Sequence, residues 1–384
     1  MHKIQRSISK KLISDLDRKI VILAGPRQCG KTTFSKSINQ TYEYLNYDIL
    51  EDRSQIIKQE WDRSKDLLIL DELHKMPKWK SWLKGMYDKN GVVPQKILVT
   101  GSARLDTFKK TGDSLAGRHF YYRLHPFDIK ELIECGFNKN PEDILNTMMA
   151  VGGYPEPFLM NDIQEYRRWR KGHLDIILKH DLIDLETIRD LQSIQILIEI
   201  LRSKVGSGIS VNSLATDLSK DPKTVQKWLD HLEDLFVIFK LTPYSKDISR
   251  SLKKEPKFYF YDTGLIDDNE SAKLENIVAC ALLKEVHRLS DAEGIEFKLQ
   301  YLKVKGGREI DFVIVPTEKS RFATLVEVKT SETDASPNFK LFSPFFKNSK
   351  KIQVVMNLSK KFTTASGIEV RNVSEWLSEF KLIE

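Results

Sequence analysis

Short, continuous apolar segments alternate with helical patterns over the first third of the chain. Apolar runs occupy residues 20–24, 67–70 and 97–99, and the segments between them place apolar residues at helical spacing. Continuous apolar strands are typical of a parallel sheet that helices cover on both faces. Residues 1–130 are therefore predicted to form an α/β domain built on a parallel sheet.

A glycine-rich turn follows the first apolar run and matches the P-loop pattern. In a P-loop, glycines let backbone N–H groups surround the phosphates, here with Lys31 as a cation near the β- and γ-phosphates and Thr32 as a hydroxyl for Mg²⁺. A Gly/Pro turn that fits the pattern by chance is the alternative. ATP and Mg²⁺ are the predicted ligands. The predicted nucleotide-binding residues are Gly25, Pro26, Arg27, Gln28, Cys29, Gly30, Lys31, Thr32 and Thr33.

An acidic pair ends the second apolar run. Asp71 and Glu72 directly follow residues 67–70, an arrangement that resembles a Walker B element. Asp71 would hold Mg²⁺ through a hard carboxylate oxygen, and Glu72 would activate the attacking water as the general base. The alternative is the acidic N-terminus of a helix that follows a core strand.

Polar residues also end the third strand pattern, at Thr100 and Ser102. Such residues point into the crevice where open α/β sheets bind ligands. Their position resembles sensor 1 of AAA+ ATPases, which implies that Thr100 or Ser102 contacts the γ-phosphate or the attacking water. Arg118 precedes a further strand pattern and resembles the arginine finger, which implies that it stabilises transferring phosphoryl charge from a neighbouring subunit. The alternative for Arg118 is a surface ion pair.

The next two segments are predicted to be mainly helical. Residues 131–190 read as a helical connector, in which the Gly/Pro-rich stretch 152–157 forms a rigid elbow; the segment is either a lid over the nucleotide or simple packing. Residues 191–250 look like a winged helix-turn-helix with an outward-facing second helix. Its exposed side chains would meet DNA phosphates and base edges, or else the module serves protein contacts. Those side chains are Lys223, Thr224, Gln226 and Lys227.

Two strand patterns near the end of the chain, at 308–315 and 325–330, flank a polar turn and predict a hairpin. Side chains alternate along a strand, so Glu327 and Lys329 share one face. If the register aligns the faces, Asp311 and Glu327 form an oxygen-rich Mg²⁺ site with a lysine beside it, which suits metal-assisted phosphodiester cleavage. The alternative is an exposed hairpin face with ion pairs.

The Asp311 and Glu327-Val328-Lys329 arrangement resembles the PD-(D/E)xK nuclease core. That resemblance implies a restriction-endonuclease-like fold over 251–384 and a further ligand, Glu275, on the preceding apolar helix pattern at 274–283. The nuclease fold also occurs as a binding module without activity.

Taken together, these motifs cover nearly the whole chain and are similar to the prokaryotic AAA+ ATP-binding proteins with a C-terminal DUF4143 domain. The resemblance implies an AAA+ core at 1–130, the connector, the winged-helix segment and the nuclease-like end, in that order. One departure is Ala103, where the family pattern usually has a second small polar residue.

The composition of the chain bears on the number of domains, on nucleic-acid binding and on the cellular compartment. The 384 residues suggest two or three domains, and 61 Lys and Arg against 54 Asp and Glu permit nucleic-acid binding without requiring it. Three distant cysteines make neither a disulfide framework nor a zinc pattern, which favours a reducing, cytoplasmic setting. A polar N-terminus and the lack of a bilayer-length apolar run predict a soluble protein without membrane contacts.

The sequence therefore predicts an ATPase that couples Mg²⁺-dependent ATP hydrolysis to DNA binding or processing, with metal-dependent nuclease activity as an added possibility. The alternative function is a nucleotide-driven switch whose winged-helix and nuclease-like domains bind protein partners without cleavage. DNA, further copies of the chain and a protein partner are the expected partners.

Overall fold

The computed structural model describes residues 4–90, 95–102, 115–181, 190–245, 255–304, 307–318, 322–331, 334–346 and 348–383. Its N-terminal part is built on five parallel strands in the spatial order β2-β3-β4-β1-β5. The prediction of a parallel α/β sheet is confirmed. The strands are β1 Ile20–Ala24, β2 Tyr42–Asn46, β3 Leu67–Asp71, β4 Lys96–Gly101 and β5 His119–Arg123.

Strands β1 and β3 are buried along their whole length, as their continuous apolar sequences require. Because the sheet is parallel, the segments after β1, β3 and β4 all leave from the same edge, and Asp71 lies beside Thr100 in the register. This edge is where the predicted nucleotide residues meet. The helices of this part are α1 Ser9–Leu16, α2 Lys31–Ile38, α3 Leu50–Lys58 and α4 Trp79–Asn90.

The connector is helical, as predicted. Gly152 ends α6 with φ +75°, and a Cβ atom there would lie 2.3 Å from Asp262 Oδ1, so the elbow requires glycine. A π-helical turn, Ile177–Asp181, continues α8, and residues 182–189 of the predicted connector lie outside the described residues. The helices are α5 Ile129–Glu134, α6 Pro141–Val151, α7 Pro155–Met160 and α8 Ile163–Ile176.

Three helices and a two-stranded antiparallel sheet follow. Asp221 caps α11 by accepting a hydrogen bond from the Lys223 N–H, and Pro222 occupies the first helical position. Val225 and Leu229 are buried, and Lys223, Gln226 and Lys227 are exposed as predicted, whereas Thr224 is half-buried. The strand pair crosses the predicted boundary at residue 250. The elements are α9 Leu191–Ser203, α10 Val211–Leu218, α11 Pro222–Asp234, β6 Ile238–Leu241 and β7 Lys257–Phe260.

A long helix and a six-stranded mixed sheet complete the chain. Strands β9 and β10 pair antiparallel with Val313 opposite Leu325, so the predicted hairpin is present; residues 319–321 of its turn lie outside the described residues. The sheet order is β12-β13-β11-β10-β9-β8. The elements are α12 Glu270–Glu293, β8 Phe297–Lys303, β9 Glu309–Pro316, β10 Thr324–Lys329, α13 Asn338–Phe342, β11 Lys350–Val355, β12 Phe362–Thr363, β13 Ile368–Asn372 and α14 Val373–Glu379.

The two sheets share one hydrophobic core. Helix α12 packs against β5 of the first sheet and β8 and β10 of the second, and α14 packs against α5 and α6. The same apolar cluster contains Ile22 of β1 and Trp376 of α14. The C-terminal part is therefore bound to the nucleotide domain through packed helices.

Candidate active site

Residues 25–30 connect β1 to α2 as the predicted loop, and Lys31, Thr32 and Thr33 begin α2. Gly30 precedes α2 with φ +91°, a conformation that favours glycine. A Cβ atom on Gly25 would lie 2.3 Å from the Leu124 carbonyl oxygen, so the loop passes too close to the end of β5 for a larger residue. Both glycines are therefore needed for the backbone course.

Lys31 lies inside this loop. Its Nζ atom donates hydrogen bonds to the Gly25 carbonyl at 2.8 Å and the Pro26 carbonyl at 2.6 Å, and the residue is only 6% exposed. A buried ammonium group is costly unless polar partners surround it. The loop carbonyls supply those partners and keep one positive charge at the centre of the loop.

Asp71 accepts hydrogen bonds from three neutral hydroxyl groups, one on helix α2 and one each on strands β2 and β4. Thr32 Oγ1 lies 3.0 Å and Tyr44 OH 2.8 Å from Asp71 Oδ2, while Thr100 Oγ1 contacts Asp71 Oδ1. Burial, followed by the charge of Asp71, raises the pKa of Tyr44, so its hydroxyl remains a donor. Carboxylate and hydroxyl oxygens are ligands that suit Mg²⁺. Thr32 and Asp71 thus fit the predicted metal role.

Glu72 follows with a left-handed backbone at φ +54°. Its Oε2 atom lies 3.4 Å from Ser102 Oγ and 3.5 Å from His74 Nδ1. Burial raises the pKa of Glu72, while the positive charges of Lys31 and Arg27 oppose that rise. A carboxylate with a raised pKa is a better proton acceptor at neutral pH, so the environment suits a general base.

The two candidate sensor residues contact different acidic partners. Thr100 donates to Asp71, and Ser102 donates to Glu72. Both are buried at the end of β4. The departure noted at Ala103 lies outside the described residues.

Arg118 lies at the opposite edge of the sheet from the P-loop. Its carbonyl oxygen accepts from the Ile20 N–H at the start of β1, whereas the P-loop begins after Ala24, ~16 Å further along a five-residue strand. The Arg118 guanidinium group pairs with Asp88 at 2.7 Å, so the surface ion pair is present. Arg118 therefore lies far from the nucleotide loop of its own chain, and its role toward a neighbouring subunit stays a prediction.

Helix α8 contacts the P-loop in a way that sequence patterns did not indicate. His173 Nδ1 lies 2.7 Å from Gln28 Oε1, and its ring stacks on Trp169 with centroids 4.5 Å apart. Burial, together with the charges of Arg27 and Lys31, lowers the pKa of His173 to about 4. A neutral imidazole from the connector therefore touches the loop beside the buried lysine.

The C-terminal carboxylates also come together. Asp311 Oδ2 accepts from the Val328 N–H at 2.8 Å, Glu327 pairs with Lys329 at 3.1 Å, and Glu275 accepts from Tyr259 OH at 2.7 Å. Burial and the nearby Asp311 charge raise the pKa of Glu275 to about 8 and that of Glu327 to about 7. These shifts indicate that the negative charges are crowded.

A lysine that belongs to none of the predicted motifs lies within this cluster. Lys257, at the start of β7, is 1% exposed, and its Nζ atom lies 3.0 Å from Glu309 and 3.7 Å from Glu275. Asp311 also raises the pKa of Lys257. Within the described ranges, no three Asp, Glu, His or Cys side chains are arranged to hold a metal ion. Ammonium groups provide the positive charge in this cluster.

Three protein-family models match consecutive parts of the chain. Residues 17–133 match the AAA domain family, residues 142–271 match a domain of unknown function, DUF8612, and residues 270–376 match another, DUF4143. The chain therefore combines an AAA+ ATPase-type domain with a C-terminal DUF4143 domain, as predicted. The DUF8612 match covers most of the predicted connector and all of the predicted winged-helix segment, and it extends past the predicted boundary at residue 250 to residue 271.

Relatives and solved structures are similar at low identity. The uncharacterized protein Rv2008c of Mycobacterium tuberculosis is 27% identical over 64% of this chain, which spans 55% of the relative's length. The uncharacterized protein MJ1544 of Methanocaldococcus jannaschii is 26% identical over 90% of this chain and 82% of its own. The Thermotoga maritima RuvB Holliday junction branch migration motor is 20% identical over 65% of this chain and 93% of its own, with a TM-score of 0.33. The Aeropyrum pernix ORC1 protein, solved in complex with DNA, is 10% identical over 72% and 93%, with a TM-score of 0.35.

One further observation bears on the predicted setting. In the described part of the chain, no helix combines the length and apolar character that crossing a bilayer requires.

Proposed function

We propose that this chain is a Mg²⁺-dependent ATPase of the AAA+ type. The observation that carries the proposal is the set of contacts around Asp71, where Thr32 and Thr100 donate hydroxyl hydrogen bonds to one carboxylate beside the P-loop lysine. Thr32 and Asp71 would hold Mg²⁺, which supplies charge neutralisation for the phosphates when it is bound. The match of residues 17–133 to the AAA domain family supports the same function.

In this mechanism the residues of the chain bind, orient and deprotonate. Lys31 exchanges its loop carbonyl contacts for phosphate oxygens and stays close to the charge that grows during transfer. Glu72 accepts a proton from the attacking water, and Ser102 orients the Glu72 carboxylate by donating to it. His74, whose pKa burial lowers to about 4, remains neutral beside Glu72 and does not compete for that proton.

The test is ATP turnover by the purified full chain with and without Mg²⁺. We expect Lys31→Ala to lose ATP binding, and Glu72→Gln to bind ATP while turning over ~10²–10⁴-fold more slowly, as is typical for loss of a general base. Full turnover by Glu72→Gln would remove that residue from the role of base. Arg118→Ala separates a role between subunits from a surface ion pair. If Arg118 acts between subunits, turnover per protomer should rise with protein concentration in the wild type and should not rise in Arg118→Ala.

DNA is the proposed partner of the ATPase. Its support is the outward face of α11, where Lys223 and Lys227 are exposed on a helix whose opposite face is buried, and the net charge of +7. Affinity for a DNA duplex should then fall steeply with salt. Removing both lysines should lower the slope of log affinity against log salt by ~2, about one for each phosphate contact. A wild-type protein without salt-dependent binding would favour the alternative, a switch that binds proteins.

Metal-dependent nuclease activity is a second proposal, supported by the closeness of Asp311, Glu327 and Lys329. The four carboxylates and two lysines of this cluster have a net charge of two negative units when all of them are ionised. One divalent cation would balance that charge. In the described residues no three acidic, His or Cys side chains are arranged to hold a metal ion, so the carboxylates would have to move to bind one. Cleavage of supercoiled, linear and branched DNA with Mn²⁺, by wild type and Asp311→Ala, decides between cleavage and a binding module. Identical behaviour of the two proteins on every substrate would reject the nuclease.

A further inference from the structure

Three buried charges link the N-terminal segment, helix α5 and helix α12. The Arg6 Nε atom lies 3.0 Å from Glu131 Oε1, and Lys284 Nζ lies 2.8 Å from Glu131 Oε2. The Ser7 N–H also donates to Glu131 at 2.8 Å. Arg6, Glu131 and Lys284, which we call the ion triad, are all buried. The two cations lower the pKa of Glu131 to about 2 although burial acts in the opposite direction.

Arg6 connects the ion triad directly to the P-loop. One guanidinium nitrogen donates to the Cys29 carbonyl at 3.1 Å, and another donates to the His125 carbonyl. A Cβ atom on Gly30 would lie 3.8 Å from the same group. Only a planar guanidinium group presents several donors in fixed directions, so a lysine could not make all three contacts at once. Arg6 thus holds the backbone directly before Gly30 and Lys31.

Lys284 connects the ion triad to the C-terminal part. It lies on α12, nine residues after Glu275, a distance of ~13.5 Å along a helix. A second ion pair joins the same helix to the first sheet, from Asp291 to Arg123 at the end of β5. A continuous 24-residue helix therefore spans from the carboxylate cluster to the support of the P-loop.

We propose that Arg6 is a positioning residue for the P-loop and that docking of α12 through Lys284 sets the affinity of the nucleotide site. The inference rests on the proposed ATP binding and adds its regulation by the C-terminal part. Each member of a buried charge network depends on the others, because loss of one leaves an uncompensated charge. Without Lys284, Glu131 draws more strongly on Arg6, and the contact from Arg6 to Cys29 weakens.

The experiment measures binding of a fluorescent ATP analogue with Mg²⁺ to the full chain, with turnover as a second readout. Lys284→Met, which does not touch the P-loop, should raise Kd about fivefold or more, within the usual range of coupling between sites. Arg6→Lys should raise Kd at least as much. For Lys284→Met, turnover at saturating ATP should stay close to wild type, since Arg6, Lys31 and Glu72 are intact. Lys284→Arg keeps the charge and should restore binding.

The matched control is Lys273→Met on the same helix, where Lys273 pairs with the exposed Asp268. It should bind ATP like wild type. The double variant Arg6→Lys/Lys284→Met tests the link itself. Its loss of affinity should be close to that of whichever single variant binds ATP more weakly, because both changes break one network. If Lys284→Met does not fold, Glu131→Gln removes the carboxylate that orients Arg6 with little change in shape, and it should weaken ATP binding because the guanidinium group is no longer held at its Nε side.

Two results would overturn the inference. One is a Kd for Lys284→Met equal to that of the Lys273→Met control; the other is a double variant whose fold-loss equals the product of the single losses. Failure of the proposed function is seen separately, as absence of ATP binding by the wild-type protein. A wild type that binds ATP together with an unaffected Lys284→Met rejects the positioning role alone.

Discussion

The chain places acidic side chains at two sites, and the two sites are neutralised by different partners. Around Asp71 the contacts are neutral hydroxyl donors, from Thr32, Tyr44 and Thr100, with the P-loop lysine held on backbone carbonyls nearby. Around Asp311 the neighbouring acids Glu275 and Glu327 pair with lysines instead. Both sites are buried, so the partners decide what each site is able to bind.

The difference has a simple electrostatic meaning. A carboxylate surrounded by hydroxyl groups keeps its full charge, so a divalent cation gains the whole attraction and hydroxyl oxygens remain as further ligands. A carboxylate paired with a buried ammonium has already lost that attraction, and a cation must displace the lysine or act beside it. Under the proposed function, the N-terminal site is the one that would bind Mg²⁺, whereas the C-terminal cluster supplies its own cations.

The largest expected effect comes from the same substitution at the two sites. Asp71→Asn removes the charge that would hold Mg²⁺ and should lower ATP turnover by at least ~10²-fold, the scale for losing one group that stabilises transition-state charge. Asp311→Asn should leave turnover unchanged. The measurement is steady-state ATP hydrolysis over a range of Mg²⁺ concentrations. Equal losses in both variants would mean that the C-terminal cluster belongs to the same catalytic unit.

A second prediction tests whether Lys257 takes the place of a metal. Lys257→Gln leaves Glu275 and Glu309 without their cation and should lower the free energy of unfolding by ~3–5 kcal/mol at pH 9, above the pKa of about 8 for Glu275. Mg²⁺ should restore part of this loss. Lys329→Gln is the matched control, at a partly exposed position where an ion pair is worth ~0–1 kcal/mol. Urea unfolding with and without Mg²⁺ measures both; a stable Lys257→Gln variant would contradict the structural role.

A third prediction concerns pH. Glu275 has a folded-state pKa of about 8 against an ordinary value of 4.5, raised by burial and by Asp311. The folded protein therefore binds more protons than the unfolded chain in this window, and stability should fall as pH rises from about 4.5 to about 8. Glu275→Gln does not ionise and should flatten that fall by roughly 1–3 kcal/mol, less than the full shift because Glu275 and Asp311 titrate as an interacting pair. Thermal unfolding across this pH range provides the measurement, and an unchanged slope would count against the crowding of charge.

Sequence patterns predicted β1, β3, β4 and β5 of the first sheet, and the residues at the ends of β1, β3 and β4, because each signal is local. The runs at 20–24 and 67–70 are apolar throughout, and the P-loop and the Asp71–Glu72 pair directly follow them. In a parallel sheet these strand ends meet at one edge, which gathers the nucleotide residues without further information. The hairpin that carries Asp311 and Glu327 could be predicted for the same reason.

Residues supplied by distant segments were not predicted. Arg6, Tyr44, His173 and Lys257 each reach a site through tertiary packing, and their neighbours in sequence form no motif. Helix α12 was predicted at 274–283 but extends over Glu270–Glu293. There a signal was present, because Asn269 caps its start and Gly294, with φ +69°, ends it.

The smallest expected effects come from removing one hydroxyl at each site. Tyr44→Phe deletes a donor to Asp71, and Tyr259→Phe deletes a donor to Glu275. Loss of a partner that orients a metal ligand typically costs ~10-fold or more in metal affinity, so Tyr44→Phe should raise the Mg²⁺ concentration needed for half-maximal turnover. Tyr259→Phe should leave that concentration unchanged and lower the free energy of unfolding by about 1 kcal/mol, the net value of a typical buried hydrogen bond.

The two tyrosine variants thus separate the sites by readout rather than by size. Each loses one oxygen atom from a buried carboxylate contact, but a site prepared for Mg²⁺ should report the loss in cation dependence, whereas a site neutralised by Lys257 should report it in stability. A change in Mg²⁺ dependence for Tyr259→Phe would show that a cation acts at the C-terminal cluster during turnover. In that case Lys257 would be a partner of the metal and not its replacement, and the contrast between the two sites would no longer hold.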